Sequence, residues 1–158
     1  MLKIINFMTT PVGVYIDEKN TIHVISRERR SLFEVIHHQH EHVLTDFQKL
    51  TILMQLAKIL NTFHCLPHRS WAHGNLTPHN VFVEMVSNPE NNETEIKVLL
   101  DGIEMTDLKK YANMFYSYRP CSVWSAPEVL KAPKKIIEPL AAMDVYSFGV
   151  LAWELFHE

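Results

Sequence analysis

One long periodic stretch, residues 45–64, constrains the fold more than any other part of the sequence. Phe47, Leu50, Leu53 or Met54, Ala57, Leu60 and His64 recur at three- and four-residue steps, the spacing of one helical face. Thr45 or Asp46 suits the N-cap. Apolar residues also fill much of the remaining circumference, which suits a central helix packed on several sides. On this reading the stripe from Phe47 to Leu60 is core. Residues 142–156 make a second buried helix, with Asp144 near its start. Between the two helices runs a loop, His73-Gly74-Asn75-Leu76-Thr77-Pro78-His79-Asn80. It leads into an apolar strand at 81–85. A polar loop at 87–95 follows, with Asn88-Pro89 and Asn91-Asn92 as turn signals. The partner strand at 96–100 then runs into Asp101.

The start of the chain is β-rich and brief. An apolar run at 2–7 precedes a turn at 8–11, where Pro11 fixes φ and the threonines bond locally. Strands are expected at 12–16 and 21–25, with 17–20 as the turn of a hairpin. Residues 26–30 read as a charged connector. Ser31 and Glu34 then stand in capping-box spacing before a short helix at 32–36. Four imidazoles follow within His37-His38-Gln39-His40-Glu41-His42. A tetrahedral metal site needs fixed supporting partners that a sequential run does not supply, so this reads as a solvated loop. Residues 111–124 carry aromatics without a period and read as irregular. Pro127 opens a short helix at 127–131, and 131–139 is loop.

Composition narrows the class. The 158 residues fit one ordinary domain, and 47% hydrophobic with 21% charged residues can build a core. A net charge of −3 offers no basic surplus for nucleic acid. No apolar run approaches the roughly 20 residues of a membrane span, and residues 1–6 lack a signal-peptide layout. Cys65 and Cys121 form no C-x-x-C pair and suit reduced thiols with no activating partner. The expectation is a cytoplasmic or nuclear protein without a membrane span, whose partners are other proteins.

Several short motifs now stand in order: His73 to Asn80, then Leu99-Leu100-Asp101-Gly102, then Trp124-Ser125-Ala126-Pro127-Glu128, then Asp144-Val145-Tyr146-Ser147-Phe148-Gly149. Together they resemble the catalytic loop H-R-D-L-x-x-x-N, D-F-G, A-P-E and D-x-[WY]-S-F-G of protein kinases. The match runs over almost the whole chain. Residues 31–37, the Trp124 to Glu128 segment and the helix after Asp144 look most like the tyrosine kinase-like group. The altered catalytic letters resemble integrin-linked-kinase-type pseudokinases. The resemblance implies an α+β, protein-kinase-like fold. Residues 1–158 would be a partial domain: 1–30 the end of the N-lobe and the hinge, and 31–158 the helical C-lobe.

The resemblance also assigns roles. Asn80 and Asp101 fall on the two Mg²⁺ ligands, an oxygen pair that suits a hard, largely hydrated cation. Phe82 falls on the apolar contact to adenine, so ATP with Mg²⁺ is the implied cofactor. His73 is the structural histidine under the metal-binding loop. Asp144 is the buried aspartate that accepts from the catalytic-loop backbone, and Glu128 is the glutamate of A-P-E. The departures point away from catalysis. Asn75 stands at the catalytic Asp position, and an amide is a far weaker proton acceptor than a carboxylate. Gly74 replaces the Arg of the phosphorylation switch. Thr77 replaces a Lys or Arg, and Asp101-Gly102-Ile103 replaces D-F-G. The four glycines cannot supply G-x-G-x-x-G. No V-A-x-K lysine is present: Lys3 falls in the strand after helix C, and the Glu that pairs with that lysine has no counterpart. The family's last helices, with the Arg that pairs with Glu128, are not in the sequence. The implied function is a pseudokinase serving as a scaffold or regulatory protein-binding module. The alternative is part of an active Ser/Thr kinase with divergent motifs.

Overall fold

The computed structural model describes residues 8–38, 43–66, 72–87, 94–101, 123–131 and 140–157. The expectations for the run at 2–7, for Lys3, for His40 and His42, for the loop at 88–93, for Gly102 and Ile103, for 111–122 including Cys121, and for 132–139 lie outside them. In chain order the elements are β1 (Pro11–Ile16), β2 (Ile22–Ser26), α1 (Leu32–His37), α2 (Asp46–His64), a 3₁₀ turn (Pro78–Asn80), β3 (Val81–Ser87), β4 (Thr94–Leu100), α3 (Pro127–Lys131) and α4 (Ala141–His157). This is the α+β order read from the sequence.

Both capping signals work as expected. Ser31 Oγ accepts from the Glu34 amide at 3.2 Å, and Glu34 Oε2 accepts from the Ser31 amide at 2.8 Å. That amide and the Ser31 hydroxyl hold the Glu34 carboxyl below its usual pKa. At α2 the cap is Thr45, paired reciprocally with Gln48.

β1 and β2 form an antiparallel hairpin. Its turn is built by Asp17, whose Oδ1 accepts from the amides of Lys19 and Thr21 at 2.9 and 2.8 Å. Asn20 supplies the left-handed residue, with φ of 60°. His23 Nε2 lies 3.0 Å from Asp17 Oδ2 and, with the Thr21 amide, draws the Asp17 carboxyl below its ordinary pKa. The hairpin's apolar residues Val12, Val14, Tyr15, Ile16, Ile22 and Ile25 are all exposed.

β3 and β4 form the second antiparallel pair, in register from Val81↔Leu100 to Ser87↔Thr94. Both strands run farther than the sequence reading, which ended β3 at Met85 and began β4 at Ile96. Cross-strand pairing at Val86↔Glu95 carries the ladder on into the polar segment. The segment 8–11 is also not a plain turn. Met8 forms a parallel bridge to Leu100, and the Thr9 amide donates to the Leu100 carbonyl.

The core gathers α2, β3, β4 and α4. Ile52, Leu56, Ile59, Leu60 and Phe63 of α2 are buried with Val81, Val83, Val98, Leu100, Leu151 and Leu155. This corrects the expected stripe. Phe47, Leu50 and Met54 are 79%, 58% and 52% exposed, and Ala57 is exposed too. Of the predicted positions only Leu60 is buried, with Leu53 packed at the margin. Two apolar stripes coexist on this helix, and periodicity alone cannot rank them. The packing partners β4 and α4 select the stripe through Ile52, Leu56, Ile59 and Phe63. Gln55 lies among those contacts and hydrogen-bonds β4 twice, donating to the Ile96 carbonyl at 2.6 Å and accepting from the Val98 amide at 3.0 Å.

Candidate functional site

The loop at 72–80 is held from behind by a single carboxylate. Asp144 sits in the first turn of α4, 1% exposed. Its Oδ2 accepts from the His73 amide at 2.7 Å and from His64 Nε2 at 2.8 Å, and its Oδ1 accepts from the Gly74 amide at 2.8 Å. A buried carboxylate is tolerable only with such partners. Two helices thereby fix the loop: His64 closes α2, and Asp144 opens α4. Gly74 lies in the left-handed region, with φ of 73°. A side chain is strained there, so the glycine serves the backbone.

His73 carries the support forward. Its imidazole is buried, with Nε2 2.6 Å from the Asp101 carbonyl and Nδ1 3.2 Å from the Asn75 amide. An amide N–H must meet an unprotonated ring nitrogen, so the proton sits on Nε2 and is donated to Asp101. Burial pushes the imidazole pKa below its ordinary value, against the opposing pull of the Asp101 carbonyl and of the Asp144 and Asp101 charges. The ring is therefore neutral and works as a strut.

The front of the loop is Asn75, Asn80 and Asp101. Asn80 Nδ2 donates to the Asn75 carbonyl at 2.8 Å, which leaves its Oδ1 as an acceptor. The Asp101 amide donates to the Asn80 carbonyl at 2.9 Å, so the two oxygen-bearing residues are neighbours. Asn75 and Asp101 are exposed. Phe82 lies farther along β3, half-buried and paired with Leu99. His73, Asn75, Asn80, Asp101 and Asp144 are thus joined by direct hydrogen bonds. Glu128 is exposed in the first turn of α3 and shares no hydrogen bond with them.

Sequence reasoning missed three contributors. His64 was counted only as a stripe position, although an imidazole closing a buried helix needs a polar partner. Glu154 is the second carboxylate on the apolar helix α4. It accepts from Trp124 Nε1 at 2.6 Å and faces His37 Nε2 at 2.9 Å. The Ser147 hydroxyl, donating to the Trp124 carbonyl at 2.7 Å, ties the same segment to α4. His37 therefore belongs to α1 and its contact with α4, and is not part of a free loop. Beside it, His79 stacks on Phe33 with ring centroids 4.0 Å apart. Arg29 is the third, placed in a charged connector by the sequence reading. Its side chain is only 11% exposed, with Nε 2.8 Å from Glu84 Oε1.

A helical unit fixing a loop through a buried aspartate, with an Asn just before one strand and an Asp just after its partner, is an arrangement found in protein kinases. The chain belongs to the protein tyrosine and serine/threonine kinase family, whose sequence model matches residues 4–158. Among solved structures it resembles the kinase domain of maize sucrose-induced receptor kinase 1 bound to AMP-PNP, with a TM-score of 0.60 and 24% identity. That match covers 98% of this chain and 53% of the maize chain, so the chain spans about half the length of this relative. No curated protein matches the chain. Among the described residues, no helix is long and apolar enough to cross a membrane, and no three His, Cys, Asp or Glu side chains gather as a metal site.

Proposed function

We propose that this chain is part of a pseudokinase domain of the tyrosine kinase-like group, akin to integrin-linked-kinase-type proteins. It works as a cytoplasmic scaffold or regulatory module that binds other proteins. Residues 1–30 are read as the end of the N-lobe with the hinge, and 31–158 as the C-lobe. The observation that carries the proposal is Asn75. The hydrogen bonds that shape its loop are complete, while the side chain at the catalytic position is an amide without useful basicity. Thr77 adds to this, because it places no cation near a transferred phosphate.

Nucleotide binding is a separate question. Asn80 and Asp101 are backbone neighbours, and an amide oxygen with a carboxylate suits Mg²⁺. Phe82 offers an apolar surface to a base. The AMP-PNP bound to the maize kinase domain supports ATP as the ligand. In that role Asn80 and Asp101 would hold Mg²⁺, which would supply charge neutralisation for the phosphates, while His73 holds the Asp101 backbone through its carbonyl. The same pair supports the second reading, an active kinase with divergent motifs.

The two readings separate in a transfer assay on the full-length protein with labelled ATP and Mg²⁺, using Asp101→Ala as the blank. The pseudokinase reading expects wild type and blank to agree. Transfer by the wild type that Asp101→Ala abolishes would sink it and establish the enzyme.

A further inference from the structure

Five side chains that carry none of the roles above close a ring beside the 72–80 loop. Phe33 and His37 of α1 pack ring against ring, with centroids 4.4 Å apart. Phe33 stacks in turn on His79, at 4.0 Å and an interplanar angle of 26°. His79 meets Trp124 edge-on at 6.0 Å. Trp124 Nε1 donates to Glu154 Oε2 at 2.6 Å, and Glu154 Oε1 lies 2.9 Å from His37 Nε2. The ring runs through α1, the 3₁₀ turn, the segment before α3, and α4, and returns to α1. His79 immediately precedes Asn80 in that turn.

Glu154 is the joint with two positions. Its side chain is only 12% exposed, and an ionised carboxylate only accepts, so His37 and Trp124 both donate to it. Each oxygen takes its donor from a different element. A carboxylate this far from water is tolerable while it is paired. Loss of one donor favours turning the group out to water, and the other donor then loses its acceptor. The two contacts therefore hold or fail together. The backbone does not fail with them. The Ser147 hydroxyl still holds the Trp124 carbonyl at 2.7 Å, and Asp144 still holds the amides of His73 and Gly74. What changes is the seat of the indole against His79.

We propose that this ring is a conformational relay. A contact at α1 that draws His37 off Glu154 loosens Trp124 and, through His79, the turn that carries Asn80. The two positions of the Glu154 carboxylate are the two-state element that such coupling requires. Coupling is reciprocal, so loosening at Trp124 reaches α1 by the same factor. The use made of the relay rests on the regulatory reading above: a partner protein gripping α1 would alter the front of the loop without touching it.

The test is hydrogen exchange by NMR on the full-length protein, without partner or nucleotide. The reporters are the Trp124 indole N–H, assigned with Trp124→Phe, the Asn80 amide that donates to Thr77, and the His38 amide that donates to Glu34. The amides of His73 and Gly74 serve as the reference. His37→Leu removes one donor. It should quicken exchange at the Trp124 indole and at Asn80 by at least about fivefold, the lower end of ordinary coupling between sites, and leave the reference amides within about twofold. His37→Gln keeps a donor and should exchange as the wild type does. Trp124→Phe keeps an aromatic ring, drops the N–H, and should quicken His38 from the other side; it also decides the matter if His37→Leu does not fold. Quickening confined to α1 in His37→Leu, or an unchanged α1 in Trp124→Phe, overturns the relay. So does an equal rise at His73 and Gly74, which marks a general loss of stability. His37→Gln behaving as His37→Leu does would remove the shared carboxylate as the link. Because no partner enters the comparison, the relay can fail while the regulatory reading stands, and phosphate transfer that sinks that reading leaves the relay in place.

Discussion

Asp144 and Asn75 face one loop from opposite sides and differ in how they are served. Behind the loop, Asp144 is buried and bonded by the end of one other helix, through His64, and by two loop amides. In front, Asn75 is exposed, and its hydrogen bonds among the described residues run through its backbone. The rear holds shape, and the front would perform chemistry. Because the loop is held by Asp144, by His73 and by the backbone of Asn75 rather than by the Asn75 side chain, a change of letter at position 75 leaves the fold intact. A kinase-like shape is therefore no measure of kinase activity in this chain.

The strongest way to break the contrast is to remove the rear support. Asp144→Ala strands His64 Nε2 and the amides of His73 and Gly74 in a buried place. Breaking a buried polar network by deleting one partner typically costs about 3–5 kcal/mol. A urea melt should show a midpoint shift of that size, or an unfolded protein. A shift under about 1 kcal/mol would mean that water reaches the site and the loop is held elsewhere. The next largest effect tests the two faces of α2. Leu56→Ala opens the core and should destabilise by about 2–5 kcal/mol. Phe47→Ala, on the exposed face, should stay within about 0.5 kcal/mol. Equal losses at both positions would show that Phe47 is covered in the full-length protein.

That pair of variants also shows where the sequence was legible. The capping box at Ser31, an N-cap at Thr45 or Asp46, the turn at 17–20, the strands around Phe82 and Leu99, and Pro127 at the head of α3 could be read because each is decided by neighbours in the chain. The buried face of α2 could not be. Phe47 and Leu56 are both apolar on a helix apolar nearly all round, and only contact with β4 and α4 ranks them. The site divides in the same way. The identities of His73, Asn75, Asn80, Asp101 and Asp144 were visible from motif order, and the structure joins all five. His64, Glu154 and Arg29 were not singled out. Their partners lie tens of residues away in sequence, and a lone polar residue in an apolar or charged stretch does not name its partner. Glu154 on a largely apolar helix, and His64 at the end of another, were signals that such partners existed.

A smaller effect follows from the strut. The His73 imidazole has its pKa lowered by burial, so the native state resists protonation more than the unfolded chain. Stability from this group is fully present above the unfolded value of about 6.5 and declines as pH falls below it toward the folded value. The slope cannot exceed about 1.4 kcal/mol per pH unit for one proton. His73→Gln should remove that part of the slope between pH 6.5 and the folded value while leaving the contribution of carboxylates at lower pH. An unchanged slope would mean that the ring is reached by solvent.

The smallest expected effect is at the front, with Asn75→Asp. The side chain is exposed, and its backbone bonds do not depend on the substituent, so the unfolding free energy from a urea melt should change by less than about 0.5 kcal/mol. Phosphate transfer should also remain at the level of Asp101→Ala. A general base contributes about 10²–10⁴-fold when the rest of the site is in place. Here Thr77 supplies no cation, and the new carboxylate would add a second negative charge to a face that already carries Asp101. A rise of a hundredfold in Asn75→Asp would therefore be informative. It would mean that phosphate, metal and acceptor are already aligned at Asn80 and Asp101, and that one amide alone separates the front of this loop from a working kinase.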